Sequence, residues 1–119
     1  MKLRVVLVDD DARFRTLARR VLVAEGIDVV AEVGSGCEAP DVIARLEPDV
    51  ALIDIQMPGV DGLEVARLLK GTEGGPVVIL ISTREQAHGD RMAAGLAAGY
   101  LPKDQLSLAA ILRLALPAP

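Results

Sequence analysis

The side chains of this sequence that could bind a metal ion and a phosphoryl group stand at, or just beyond, the ends of short apolar runs. They are Asp9 and Asp10, Asp54, Ser82 and Lys103. Carboxylates supply the oxygen ligands of a hard divalent ion, and a site with few protein ligands and several waters favours Mg²⁺. A lysine and a hydroxyl beside that ion would neutralise a phosphoryl group and hydrogen-bond its oxygens. The residue types therefore indicate phosphoryl chemistry.

Asp54 is the strongest candidate to accept the phosphoryl group. The chain has neither a G-x-x-x-x-G-K-[ST] loop nor a kinase-type glycine loop, so the sequence gives no support for nucleotide binding. A carboxylate can itself be the nucleophile and form an aspartyl phosphate. Asp54 alone ends the central apolar run, whereas we expect Asp11 to cap the first helix and Asp61 to be a turn or cap residue.

Five short apolar or β-branched runs predict the strands that position these side chains. Three of the runs are continuously apolar, which is typical of strands buried on both faces of a parallel sheet. Helical spacing predicts a helix after each strand, with the fourth the weakest because Gly89 and Gly95 each cost about 1 kcal/mol relative to alanine. The predicted strands are Leu3–Val8, Val29–Glu32, Val50–Ile53, Val77–Ile81 and Tyr100–Leu101. The predicted helices pass through Phe14–Leu22 (ended by Gly26), Pro40–Leu46, Leu63–Lys70, Gln86–Ala98 and Leu106–Leu116.

The fivefold alternation of strand and helix predicts an α/β fold. We expect a (βα)5 doubly wound, five-stranded parallel sheet with the flavodoxin-like order 2-1-3-4-5. The first and third strands are then neighbours about 4.8 Å apart, which brings Asp10 close to Asp54. Taken singly, Ser82 is more often a turn residue and Lys103 a surface charge, but their joint arrival at one edge favours a site. We expect one domain, 1–116, with a tail or the start of a linker at 117–119.

Composition narrows the class of protein further. The 119 residues include 13 Lys and Arg against 17 Asp and Glu, a net charge of -4, which argues against unaided binding of nucleic acid. A hydrophobic fraction of 51% excludes a disordered chain. The single cysteine, Cys37, excludes an internal disulfide, and no apolar run is long enough for a signal peptide or a membrane-spanning helix. We expect a soluble, cytoplasmic protein without membrane contact.

Four motifs resemble the receiver domain of bacterial two-component response regulators, the fold of the chemotaxis protein CheY. The resemblance covers essentially the whole chain. The most specific motif, within residues 48–62, is an apolar strand, an aspartate and then Met-Pro-Gly with a second glycine. The others are individually weak and jointly strong: Leu7–Asp10, Ile81–Thr83 and Gly99–Asp104. Lys103 followed by Asp104 is similar to receivers of the LuxR/NarL type, which carry a helix-turn-helix DNA-binding domain downstream.

The resemblance implies a phosphorylation switch rather than an enzyme that acts on other substrates. A sensor histidine kinase would phosphorylate Asp54. Mg²⁺ would be held by Asp10, Asp54 and the backbone carbonyl of Gln56, and by Asp9 through water, while Lys103 would contact the phosphoryl group. The domain would catalyse only its own phosphoryl transfer and dephosphorylation.

The resemblance also implies how the switch is read. Ser82 would turn towards the phosphoryl group, and Tyr100, at the position of the family's switch aromatic, would move inward. The face formed by the fourth helix, fifth strand and fifth helix would report the change to a partner: a second copy in a homodimer, or a downstream DNA-binding domain. Two departures bear on this output. Thr83 replaces a usual alanine or glycine and could slow phosphoryl access, and the stretch between Ser82 and Tyr100 is slightly short and contains Gly89.

Three other functions compete with this interpretation. A degenerate receiver would act as a phosphorylation-independent interaction module, against which the joint presence of the five candidate residues argues. An aspartate-nucleophile phosphatase needs a second acidic residue two positions after the nucleophile, where this chain has Gln56. A flavodoxin needs a hydroxyl and a glycine loop after the first strand, where this chain has only aspartates.

Overall fold

Strands and helices alternate along residues 2–116, the part of the chain that the computed structural model describes. The strands are β1 (Arg4–Val8), β2 (Asp28–Val33), β3 (Val50–Asp54), β4 (Val77–Ser82) and β5 (Gly99–Pro102). The helices are α1 (Ala12–Ala24), α2 (Ala39–Leu46), α3 (Gly62–Lys70), α4 (Gln86–Ala93) and α5 (Leu108–Ala115). All strand pairs are parallel and the order is β2-β1-β3-β4-β5, so the predicted doubly wound sheet is confirmed.

Strand β3 is the middle strand of the sheet and ends with Asp54. All five of its residues are buried, because β1 and β4 flank it and helices cover both of its faces. In the strand register Val8 pairs with Ile53, and Asp54 pairs with Ile81. Residues that follow these paired positions therefore meet at the carboxyl edge of the sheet, where ligands bind in open α/β folds.

Side chains of β3 alternate between two hydrophobic cores, one on each face of the sheet. Ala51 and Ile53 belong to the core that α2, α3 and α4 cover. Val50 and Leu52 belong to the core that α1 and α5 cover. This two-sided burial is the reason that the strand is continuously apolar up to its last residue.

Helix starts agree with the capping residues that the sequence predicts. Asp11 caps α1, its carboxylate accepting hydrogen bonds from the backbone N–H groups of Arg13 and Phe14. Asp61 caps α3 by accepting from the N–H of Glu64 at 3.0 Å. Both caps satisfy N–H groups that have no partner within the helix. The predictions for Asp11 and Asp61 are confirmed, and neither residue is needed to explain the acidic cluster.

The fourth helix is shorter than the sequence predicts, since it ends at Ala93 and not at Ala98. Gly95 adopts a positive φ of 76°, a left-handed conformation that suits glycine and turns the chain out of the helix. The Nζ of Lys70 on α3 donates a hydrogen bond to the carbonyl of Gly95. The prediction was wrong here because this tertiary contact, and the need to reach Gly99 at the start of β5, end the helix early.

The last helix begins at Leu108 and not at Leu106, because residues Lys103–Gln105 form a separate 3-10 turn. Ser107 caps the helix by accepting from the N–H of Ala110 at 3.0 Å. The predicted tail at 117–119 lies outside the described residues. Within residues 2–116 every helix is too short or too polar to cross a membrane.

Candidate active site

Three aspartate carboxylates converge at the carboxyl edge of the sheet. Asp9 and Asp10 follow β1, Asp54 ends β3, and each contributes a carboxylate oxygen to a group in which all of these atoms lie within 4.8 Å of one another. Asp9 and Asp54 are buried, whereas Asp10 is exposed. Like charges at this spacing repel unless a cation lies among them. The all-oxygen donor set and the exposed side at Asp10, where waters can complete the coordination, fit Mg²⁺.

Asp9 is held in place by its own backbone neighbours and by a cation. Its Oδ1 accepts a hydrogen bond from the N–H of Asp11 at 2.9 Å, and its Oδ2 lies 2.6 Å from Lys103 Nζ. The backbone carbonyl of Asp9 accepts a further hydrogen bond from Arg15 on α1 at 2.6 Å. These contacts fix a fully buried carboxylate in one orientation.

Lys103 supplies the positive charge of the site. Its Nζ also lies 3.4 Å from Asp54 Oδ2 and 4.4 Å from the centroid of the Phe14 ring on α1, a cation–π contact. Burial opposes the charge of this lysine, but the hydrogen bond that its ammonium donates to Asp9 and the charges of Asp54 and Asp9 outweigh the burial, so the pKa of Lys103 is raised. The ammonium therefore stays protonated between the two buried carboxylates.

The carboxyl group of Asp54 has a raised pKa. Burial raises its pKa to about 6, and the charge of Asp9 adds to this rise. Lys103 and the N–H of Gln56, which donates to Asp54 Oδ1 at 3.3 Å, partly oppose the rise. The structure thus places the predicted acceptor where its charge is costly and a cation would relieve it.

Replacement of Asp54 with asparagine is expected to stabilise the metal-free protein at neutral pH. The folded carboxyl keeps its proton up to about pH 6, whereas an unfolded aspartate loses it near pH 4. The folded state binds more protons in this window, so wild-type stability falls as pH rises through it, by up to about 3 kcal/mol in total. Asp54→Asn lacks that loss, so its advantage is absent at about pH 4 and complete above about pH 6.

Urea unfolding in the presence of a chelator, repeated across this pH range, measures the difference. Glu73→Gln, at an exposed position after α3, controls for the removal of one negative charge. A stability difference between Asp54→Asn and the wild type that does not change with pH would contradict the prediction.

Ser82 and Tyr100 lie beside this cluster, on the next two strands. Ser82 ends β4, one position beyond the partner of Asp54, and its buried Oγ accepts a hydrogen bond from the N–H of Arg84 at 3.3 Å. The Tyr100 hydroxyl donates to the carbonyls of Ser82 and Arg84 at 3.1 and 2.6 Å. The structure therefore brings Asp9, Asp10, Asp54 and Lys103 together. It places Ser82 beside them at the end of β4 and Tyr100 on β5, bonded to the backbone of residues 82 and 84.

Two neighbours of the site are not evident from the sequence as site residues. Phe14 has helical spacing that predicts a core residue, yet its ring also lies under Lys103. Arg15 looks like one of several solvated arginines of α1, yet it bonds the Asp9 carbonyl and pairs with Glu32 at 3.5 Å. The available signal is position, since residues 14 and 15 lie about one helical turn beyond the aspartates.

Comparisons with known proteins agree with this arrangement. A family model described as the response regulator receiver domain matches residues 5–113. The response regulator MprA of Mycobacterium tuberculosis is 43% identical over 106 residues, which are 87% of this chain and 45% of that protein. The DNA-binding response regulator MtrA of Mycobacterium leprae is 39% identical over 80 residues, 67% of this chain and 35% of that protein. The chain thus spans less than half the length of the curated relatives it matches.

Solved structures give the same result. The signal receiver domain of the response regulator NarL from Mycobacterium tuberculosis superposes with a TM-score of 0.86 at 37% identity, over 96% of each chain. The BeF3-activated receiver domain of RstA from Klebsiella pneumoniae superposes with a TM-score of 0.77 at 33% identity, over 92% of each chain. From its sequence, its sheet order and its carboxylate cluster, this chain belongs to the response regulator receiver domain family.

Proposed function

We propose that this receiver domain accepts a phosphoryl group on Asp54 from the phosphohistidine of a sensor histidine kinase, in a reaction that depends on Mg²⁺. The observation that carries the proposal is the buried Asp54 carboxylate, within reach of Lys103 Nζ at 3.4 Å and beside the carboxylates of Asp9 and Asp10. The set combines a nucleophile, a fixed positive charge and oxygen ligands for a divalent ion.

The chemical step forms one bond and breaks one. An Oδ of ionised Asp54 attacks phosphorus, the P–N bond to the kinase imidazole breaks, and the leaving imidazole nitrogen takes up a proton. Because the pKa of Asp54 is about 6, the carboxylate is mostly ionised at neutral pH. Asp10, Asp54 and the Gln56 carbonyl would hold Mg²⁺, with Asp9 acting through water; when bound, the ion supplies charge neutralisation for the entering phosphoryl group.

Lys103 and Ser82 supply the remaining contacts to the transferred group. Lys103 Nζ is nearer to Asp9, at 2.6 Å, than to Asp54, at 3.4 Å, so an exchange of oxygen partners suffices to bring it to a phosphoryl oxygen. The Ser82 hydroxyl would leave its backbone partner at Arg84 and donate to another phosphoryl oxygen. Thr83, exposed beside Ser82, is expected to slow the approach of the phosphodonor and of the water that later dephosphorylates the domain.

The output follows from the position of these contacts. Movement of the segment after β4 changes the face formed by α4, β5 and α5, through which a second copy or a DNA-binding domain would read the phosphorylated state. The relative named as a DNA-binding response regulator supports transcriptional control as the output of the switch.

Intact mass spectrometry tests the function directly. Incubation with Mg²⁺ and acetyl phosphate is expected to add the mass of one phosphoryl group to the wild type and to leave Asp54→Asn unmodified, because the variant lacks the nucleophile. Asp41→Asn, on the exposed first turn of α2, is the matched control and should be modified like the wild type. An unmodified wild type would overturn the proposal and favour a phosphorylation-independent interaction module. An adduct of equal yield on Asp54→Asn would overturn the assignment of Asp54 as the acceptor.

A further inference from the structure

The Tyr100 side chain lies in a seat whose hydrogen-bonding groups belong to residues 82–86, which lead from β4 into α4, and whose space is left by Gly89 of α4. Its side chain is buried, with a residue exposure of 1%. The hydroxyl donates to the carbonyls of Ser82 and Arg84, and the Tyr100 carbonyl accepts from Gln86 Nε2 at 2.9 Å. Each of these partners belongs to residues 82–86, and none of them is an atom of Asp54 or Lys103. The contacts that hold the ring are therefore separate from the groups that would bind the phosphoryl group.

Gly89 provides the space for this ring. A Cβ at position 89 would overlap the Cδ2, Cε2 and Cζ atoms of Tyr100. Gly89 lies inside α4 and its φ is not positive, so the backbone conformation itself does not require glycine. Glycine lowers the stability of a helix interior relative to alanine. In α4 it stands at a position where any side chain would displace the Tyr100 ring. The absence of a side chain at position 89 is thus matched to the buried aromatic.

The hydrogen bonds of Tyr100 also hold residues 82–84, the segment that carries the Ser82 hydroxyl. The Tyr100 hydroxyl bonds the carbonyls on either side of Thr83, and Ser82 Oγ bonds the N–H of Arg84. If the ring left, two carbonyls would lose their partner and an apolar cavity would open against Gly89. Both effects oppose an outward ring, and no atom of Asp54 takes part in either of them.

We propose that Gly89 is a positioning residue that keeps Tyr100 inside whether or not Asp54 is phosphorylated, so that the switch operates through Ser82 and the segment 82–85 without a swing of the aromatic ring. The proposal rests on the proposed function for the meaning of the switch. It differs from the expectation that the resemblance gives, in which Tyr100 moves inward on phosphorylation.

The sequence offers a direct probe, because it contains one tyrosine and no tryptophan. Quenching of the intrinsic fluorescence by acrylamide therefore reports the accessibility of Tyr100. We expect a quenching constant far below that of N-acetyltyrosinamide, and the same constant after addition of Mg²⁺ and beryllofluoride. A constant close to that of the free amide that falls on addition of beryllofluoride would overturn the proposal.

Gly89→Ala tests the role of the glycine. In the folded variant, verified by circular dichroism, the quenching constant is expected to rise towards that of N-acetyltyrosinamide, because the ring can no longer enter its seat. Gly71→Ala, where a Cβ meets nothing within 4 Å and φ is −85°, is the matched control and should keep the wild-type constant. A glycine that merely aided folding would lower the melting temperature without changing the accessibility of the ring, so a folded Gly89→Ala with wild-type quenching would overturn the proposal.

The two proposals fail separately. An unmodified wild type in the mass measurement, together with low quenching and a rise in Gly89→Ala, would refute the proposed function and uphold the role of Gly89. A phosphoryl adduct together with a ring that becomes protected only on addition of beryllofluoride would do the reverse. If Gly89→Ala does not fold, the paired wild-type measurements decide alone.

Discussion

Replacement of Lys103 with methionine is expected to lower the free energy of unfolding of the metal-free protein by about 3 kcal/mol at neutral pH. The lysine lies 2.6 Å from Asp9 and 3.4 Å from Asp54, both buried, and its removal leaves two like charges facing each other without a partner. Methionine keeps an unbranched side chain that can still pack on the Phe14 ring. The loss in the free energy of unfolding therefore comes mainly from the removed charge and not from lost packing.

Urea unfolding measures the loss of stability, and three further measurements test whether it comes from the missing charge of Lys103. Lys70→Met makes the same substitution at an exposed lysine whose Nζ bonds a backbone carbonyl, and it should cost under about 1 kcal/mol. Asp54→Asn in the Lys103→Met background should recover much of the loss, because only one buried carboxylate remains at the centre of the site. Mg²⁺ should stabilise Lys103→Met more than the wild type. Equal losses in the Lys103 and Lys70 variants would contradict the prediction.

Gly62→Ala is expected to destabilise the protein by about 3 kcal/mol and to weaken its affinity for Mg²⁺. Gly62 is the first residue of α3, and its N–H donates to the carbonyl of Ile55 at 3.0 Å. A Cβ there would overlap the carbonyl oxygen of Asp54 and lie 2.9 Å from the Cα of Ile55. Because the obstacle is backbone, no rotamer change relieves it, and the end of β3 that carries the acceptor must move.

Chemical unfolding and calorimetric titration with Mg²⁺ measure the two effects of this substitution. Gly71→Ala, at the other end of the same helix, has open space around the added methyl and should match or slightly exceed the wild type. Wild-type stability in Gly62→Ala would show that α3 can pull back from β3 without loss, and would refute the assignment of its close approach.

The sheet could be predicted because the apolar pattern of each strand indicates which of its faces are buried. Val50–Ile53 is apolar at every position, which only a strand covered on both faces requires, and the alternation with helices then fixes parallel pairing. The caps at Asp11 and Asp61 could be predicted for the same reason, since a carboxylate that bonds the next turn's N–H groups is a local interaction. The length of α4 could not, because Gly95 turns the chain out and Lys70, twenty-five residues earlier, binds its carbonyl.

By itself the sequence determined the order of the sheet and which side chains lie at its carboxyl edge. The physical reason is that the residues directly after parallel strands all lie at the same edge of the sheet. Only the tertiary structure decided how those side chains pair: Lys103 against Asp9 more closely than against Asp54, Phe14 beneath the lysine, and Tyr100 in the space left by Gly89. The division has a physical cause. The pattern of apolar residues along each strand and helix is already present in the local sequence. The lysine charge, the aromatic rings and the space at Gly89 come into contact only after distant segments of the chain have packed together.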